Sequence, residues 1–164
     1  MFELKPIGKE SIPRAIEKAE RYRLLNEPVE AESICRDILE IDPKNQRALI
    51  TLLLALTDQF HTGIPVTDAQ SIVPQLHSEY DRAYYSGIIC ERRAKSLLEL
   101  SSVGSTFVAY DWFMQAIRFY EKAEAIHPPE NDDAVLRWNT CVRILQRNPD
   151  LRPPADERIE LPLE

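Results

Sequence analysis

At 164 residues the chain is expected to form one domain with a sizeable core, and its 44% hydrophobic and 29% charged residues are ordinary for a soluble globular protein. A formal net charge of −7 argues against a nucleic-acid binder, which needs a basic stripe, and against an anionic membrane surface. Four glycines are few for a sheet-rich chain, and no apolar run approaches the roughly 20 residues of a membrane span. Residues 48–56, the longest such run, read as a buried helix. Residues 1–6 lack a signal-peptide core. Cys35, Cys90 and Cys141 form no CxxC pair and read as buried, reduced and structural. The expected location is therefore cytoplasmic.

In chain order, residues 1–10 read as a loose arm. Ser11 or a neighbour starts the first helix, with Pro13 in its first turn, Ala15, Ala19 and Tyr22 on its packed face, and an end near Asn26. Glu27-Pro28 opens a second helix to about Glu40, striped by Ala31, Ile34, Cys35 and Ile38. After a turn at 42–45 a third helix spans about 46–60, with Leu49, Leu52, Leu53 and Leu56 at helical spacing. Residues 61–65 break it. Thr67-x-x-Gln70 has the form of a capping box and predicts a short helix from 68 to about 77, kinked or broken at Pro74. Ser78-x-x-Asp81 predicts the start of a fifth helix, with Ala83, Gly87, Cys90, Ala94, Leu97 and Leu98 in one stripe to about Leu100. The turn at 101–105 leads to a sixth helix carrying Phe107, Tyr110, Met114, Ile117 and Tyr120, which stops before Pro128-Pro129. Asn131 or Asp132 caps a seventh, with Ala134, Trp138, Cys141 and Leu145, ending at Asn148-Pro149. The rest is proline-rich, has no helical period, and reads as an extended tail.

One pattern occurs twice. Ala31-x3-Cys35-x2-Ile38-x4-Pro43 closes one segment and Ala116-x3-Tyr120-x2-Ala123-x4-Pro128 another, with Ile41-Asp42-Pro43 echoed by Ile126-His127-Pro128. This spacing lays one narrow stripe along a helix, and the proline stops it. With Ala19 and Tyr22 upstream and Asn26-Glu27-Pro28 as a turn, the first segment resembles a tetratricopeptide repeat (TPR), a helix-turn-helix unit of about 34 residues that stacks into a solenoid. The resemblance spans roughly 11–147. The first repeat, 12–45, and the sixth helix carry it best, with Asn26 where members often have glycine. It implies an all-α, right-handed α-solenoid of about seven helices, three hairpins plus a capping helix. The organisation expected is an arm at 1–10, a TPR-like domain at 11–147 and a tail at 148–164. Pro43 and Pro128 lie 85 positions apart. Two repeats span about 68, so about 17 further residues lengthen the fifth and sixth helices by about two turns each.

In this family the first helix of each pair lines a concave groove that holds peptides. Carried onto this sequence, the partner-binding positions are Ile16, Glu20 and Arg23; Arg47, Ile50, Leu54 and Asp58; Tyr84, Ile88 and Arg92; and Val135, Asn139 and Arg143. Leu54 and Ile88 read equally well as core. The lysine, asparagine and arginine set by which one subgroup clamps a C-terminal carboxylate is not reproduced, because Ile16, Ile50, Leu54 and Ile88 stand where polar groups are wanted. An apolar or amphipathic segment suits such a groove better.

The residues offer no catalytic constellation. His61, His77 and His127 are far apart and lack companions for a metal set, and Asp132-Asp133 is a helix start. Ser102-x-Gly104-Ser105 lacks the lysine of a phosphate loop. Glu91-Arg92-Arg93 reads as a solvated charge run. Trp112 falls off the packed stripe of its helix, either half-buried by a neighbour or an exposed anchor. The expected function is non-catalytic protein recognition, as an adaptor, scaffold or chaperone, with no cofactor and no metal. Its partner is a protein or peptide, with the chain's own C-terminal tail as a further candidate occupant. The alternative is a self-associating module, a homodimer rather than a monomer, joined through the long third hairpin. Phe107, Tyr110 and Trp112 then form a second surface.

Overall fold

Prolines and short polar caps mark most of the helix boundaries. In the computed structural model, which describes residues 1–100 and 102–153 (the side chain of Val103 excepted), helix α1 (Ile12–Leu24) carries Pro13 in its first turn, where a missing N–H costs nothing. It ends in a Schellman turn: Asn26 takes φ 60°, its N–H donates to the Arg23 carbonyl, and the Glu27 N–H donates to the Tyr22 carbonyl. Asparagine tolerates the left-handed region better than most residues, so it serves here in place of glycine. Helix α2 (Pro28–Ile41) starts on its proline. Helix α3 (Gln46–Thr57) starts on Asn45, whose side chain accepts from the Ala48 N–H at 2.9 Å. Helix α5 (Glu79–Glu99) starts on Ser78, which accepts from the Asp81 N–H at 3.2 Å. Helices α6 (Val103–Ala125) and α7 (Asp133–Arg147) follow.

The described residues are all-helical, with seven α-helices and no strand. Sequence neighbours pack in pairs: α1 on α2, α2 on α3, α5 on α6 and α6 on α7, while α3 also touches α1 and α5. Both copies of the sequence pattern lie in the helix seams. Ala31, Cys35, Ile38, Ala116, Tyr120 and Ala123 are all 0% exposed. Small residues in these stripes let the helices approach closely, and the large ones fill the space between them. Helix α3 is buried on nearly every side and anchors one core, with Ala19, Cys35, Phe60, Ala69, Ile72, Leu76 and Ile89 around it. A second core joins α5, α6 and α7 through Cys90, Ala94, Phe113, Tyr120 and Cys141. Leu54 and Tyr85 pack against both, which makes the interior continuous.

The expected lengthening of the third hairpin is present. Helices α5 and α6 have 21 and 23 residues, against 13 and 14 in α1 and α2. The difference is about 12 Å of helix per arm.

The fourth helix departs from expectation. It is α4 (Val66–Gln70), five residues long, and its N-cap is Pro65 with no side-chain cap. Thr67 lies inside the helix and so closes no capping box. A separate 3-10 turn, Val73–Gln75, holds Pro74 at its start, because proline has no N–H to continue the α ladder. Burial of Ala69, Ile72 and Leu76 pins this irregular segment to α3. Past α7, Leu151 is buried in the α5–α6–α7 core, and its N–H donates to the Asn148 carbonyl at 2.9 Å. The start of the tail is therefore docked. The apolar positions Ile159, Leu161 and Leu163 lie outside the described residues.

Candidate functional site

Helices α1, α3 and α5 each contribute charged residues to one face, and these pair across the helices. Arg47 of α3 holds Glu20 of α1 in a two-pronged pair at 2.6 and 2.7 Å. That hydrogen bond raises the already high pKa of Arg47, so the cation is permanent. Asp58, at the C-terminal end of α3, accepts from Arg23 Nε at 2.6 Å and Nη2 at 3.3 Å, and from Arg92 Nη1 of α5 at 2.8 Å. One carboxylate thus ties three helices together, setting the end of α1, the end of α3 and the middle of α5 side by side. Between the Glu20–Arg47 and Arg23–Asp58 pairs lies an open depression of about 400 Å³. Half-buried Ile50 and Leu54 lie along it with Thr51, and exposed Leu24 borders it. A smaller hollow of about 230 Å³ continues past Asp58 and is lined by His61, Arg92, Lys95 and Glu99 among others.

The structure thus brings Glu20, Arg23, Arg47, Ile50, Leu54, Asp58 and Arg92 together. Two positions expected in the groove are elsewhere. Ile16 is 3% exposed against Ile12, Ile38 and Ala48, and Ile88 is 3% exposed in the α5–α6–α7 core. Both take the core side because alanine partners leave room for a branched side chain there. Tyr84 is half-buried and engaged with other rings: it stacks on Tyr80 at 5.7 Å and meets Tyr85 edge-on at 5.1 Å. Val135 and Asn139 are half-buried on α7, and Arg143 is exposed. Phe107, Tyr110 and Trp112 are half-buried on α6, and Trp112 packs against the core.

Glu91 corrects the reading of residues 91–93 as a solvated charge run. Its side chain is 0% exposed. It accepts from the Tyr120 hydroxyl at 2.6 Å, from Lys95 Nζ at 2.5 Å and from Arg137 Nη1 at 3.4 Å. Burial, with the neighbouring carboxylate, pushes the Tyr120 hydroxyl far above its usual pKa and keeps it a donor. Gly87 makes the arrangement possible, since a Cβ there would sit 2.5 Å from Tyr120 Cε1. The available signal was the i, i+4 pair Gly87 and Glu91 on the same stripe as Ala94, a small residue and a carboxylate where packing was expected.

Asp58 is shared by Arg23 and Arg92, and the buried Glu91 by Lys95 and Arg137. The Glu20–Arg47 pair and Glu99 lie on the same face, so it carries both signs of charge. The three thiols play no part in it. All are buried and free, with pKa values pushed up to about 12 by burial, so they are inert as nucleophiles. Among the described residues no three or more His, Cys, Asp or Glu side chains gather as a metal site, and no helix is long and apolar enough to cross a membrane. No protein-family model, curated protein or solved structure matches the chain.

Proposed function

We propose that the chain is a TPR-like right-handed α-solenoid that acts as a non-catalytic recognition module, an adaptor, scaffold or chaperone. It binds an apolar or amphipathic protein segment across α1, α3 and α5. The observation that carries this reading is the depression between α1 and α3, apolar along Ile50 and Leu54 and bordered by fixed charge pairs. Apolar side chains of a partner segment would fill it, and the bordering charges would fix the segment's direction. The doubly used and fully buried stripe supports the repeat architecture. Three buried free thiols favour a reducing compartment such as the cytoplasm.

Selection of a displayed random-peptide library against the protein tests the reading. The expected winners are apolar or amphipathic. Their affinity should fall at least about tenfold on Leu24→Asp or Ile50→Ser and stay unchanged on Val29→Asp, which alters α2 only. Winners indifferent to Leu24 and Ile50, or no winners at all, would remove the groove as a binding site.

A second reading, self-association through the long hairpin, is favoured by Leu100 and Val108, which are 65% and 47% exposed beside the α5–α6 turn. Light scattering decides it: a dimer that dissociates on Val108→Lys supports this reading, and a monomer at all concentrations ends it.

A further inference from the structure

We propose that two copies of this chain pair through the open side of the first hairpin, with α1 of each copy lying on α2 of the other. Helices α1 and α2 pack on each other and on α3. Glu20 and Arg23 of α1 turn to α3, where they meet Arg47 and Asp58. Ile12, Ile16 and Ala19 turn inward. Arg14, Lys18, Arg21 and Leu25 recur at i, i+4, i+7 and i+11, which sets them in one row on the side away from α3. With Glu17 and half-buried Tyr22 they line an open depression of about 510 Å³. On α2, Cys35 packs in the α3 core and Glu32 meets Gln59, just past α3. Glu30, Ile34 and Asp37, at i, i+4 and i+7, therefore fall on the side away from α3 as well.

This open side carries a cationic row on α1 and an acidic row on α2. Among the described residues Arg14, Lys18, Arg21, Glu30 and Asp37 form no ion pair, and Lys18 Nζ lies 5.8 Å from the centre of the Tyr22 ring. The neighbouring charges leave the contrast in place. Glu17 borders the cationic row, and Glu27 and Glu40 lie past the two ends of the acidic one. Lys9 and Glu10 before α1 are one of each sign, as are Glu3 and Lys5 in the arm.

The two rows match in register as well as in sign. The helices run antiparallel from the turn at 25–27, so Arg21 is level with Glu30 and Arg14 with Asp37. A two-fold axis along the helices, in the plane between two copies, sets each α1 on the partner's α2 and keeps these levels. Arg21 then faces the partner's Glu30 and Arg14 the partner's Asp37, and each pairing occurs twice. A two-fold at right angles to the helices would set cation on cation and acid on acid, so charge selects the first arrangement. Tyr22 and half-buried Ile34 lie between the rows, with Leu25, 62% exposed, at one end, and these supply the apolar centre. The face measures about 20 Å each way, at the low end of specific interfaces, so pairing is reversible and depends on concentration. It lies across α1 from the α1–α3 depression and leaves that groove open.

Light scattering from micromolar to millimolar protein tests the pairing. The parent is expected to pass from monomer to dimer, and Val108→Lys to do the same. Arg21→Glu and Glu30→Arg should each weaken self-association at least about tenfold. Mixed in equal amounts these two variants should pair with each other, because position 21 of each then faces the opposite charge at position 30 of the other. Arg14→Glu mixed with Asp37→Arg repeats the test at the other end of the face, should either of the first variants lose the parent's circular-dichroism spectrum. A parent that stays monomeric at every concentration would overturn the proposal. So would a dimer indifferent to the charge reversals, a dimer that Val108→Lys dissociates, or folded single variants whose mixture does not pair.

Discussion

Glu91 is the residue on which the α5–α6–α7 packing turns. A fully buried carboxylate persists only when its hydrogen-bond capacity is filled, and here a tyrosine, a lysine and an arginine fill it. Glu91→Ala would strand the Tyr120 hydroxyl and leave Lys95 and Arg137 without their anion. The expected loss is about 3–5 kcal/mol in urea unfolding, with Glu91→Gln milder because it still accepts from Tyr120. A Glu91→Ala protein within about 1 kcal/mol of the parent would show that the network is not structural. Gly87 is coupled to the same site. Alanine normally favours a helix over glycine by about 1 kcal/mol. Here its methyl would drive into the Tyr120 ring, which is itself held by Glu91. Gly87→Ala should therefore destabilise by about 1–3 kcal/mol, and a rise in melting temperature would contradict the packing described.

Among the elements, the end of α1 shows how a local rule is met by an uncommon residue. Asn26 sits at φ 60° with both Schellman bonds formed behind it. Asn26→Gly should be neutral or slightly stabilising, whereas Asn26→Ala should cost about 1 kcal/mol, since alanine has neither glycine's freedom nor asparagine's local hydrogen bonding. Chemical denaturation of the two variants checks this, and equal stability for both would mean the turn relaxes out of the left-handed region. The short α4 shows the opposite case. Proline at 65 and 74 limits its length, and burial of Ala69, Ile72 and Leu76 keeps the irregular chain in place. The long α5–α6 pair carries α5 about seven residues beyond Arg92, the level at which α1 and α3 end.

At the scale of the whole molecule, burial of titratable groups gives stability a direction in pH. The thiols of Cys35, Cys90 and Cys141 ionise near 9 when unfolded and near about 12 in the fold, chiefly because burial disfavours the thiolate. Between those limits the native state binds more protons than the unfolded one. Stability is therefore fully present below about pH 9 and lost as pH rises toward 12. The raised Tyr120 acts in the same direction. Unfolding free energy measured at pH 7.5 and pH 10.5 should fall by at least about 1 kcal/mol, and Cys141→Ala should flatten the dependence. An unchanged value across that range would contradict the burial of these groups.

Helix number, most boundaries and the long third hairpin were legible in the sequence. They follow from periodicity, proline and cap residues, which act over a few positions. Ala31, Cys35 and Ile38, with Ala116, Tyr120 and Ala123, announced their burial by spacing alone. The charged half of the candidate face, Glu20, Arg23, Arg47, Asp58 and Arg92, came from the repeat resemblance, but the pairing among these residues did not, since a partner on another helix leaves no local trace. The sequence could not decide which of two adjacent helix faces Ile16 and Ile88 would take, because isoleucine suits a groove and a core equally well, and packing in clusters that contain alanine drew both inward. It misjudged Glu91, because a carboxylate between Cys90 and Arg92 looks solvated until Tyr120, Lys95 and Arg137 are brought around it. Local propensities set the helices. Which side chains became core, pair or open surface was decided when the helices met, because burial and charge pairing depend on neighbours that lie far away along the chain.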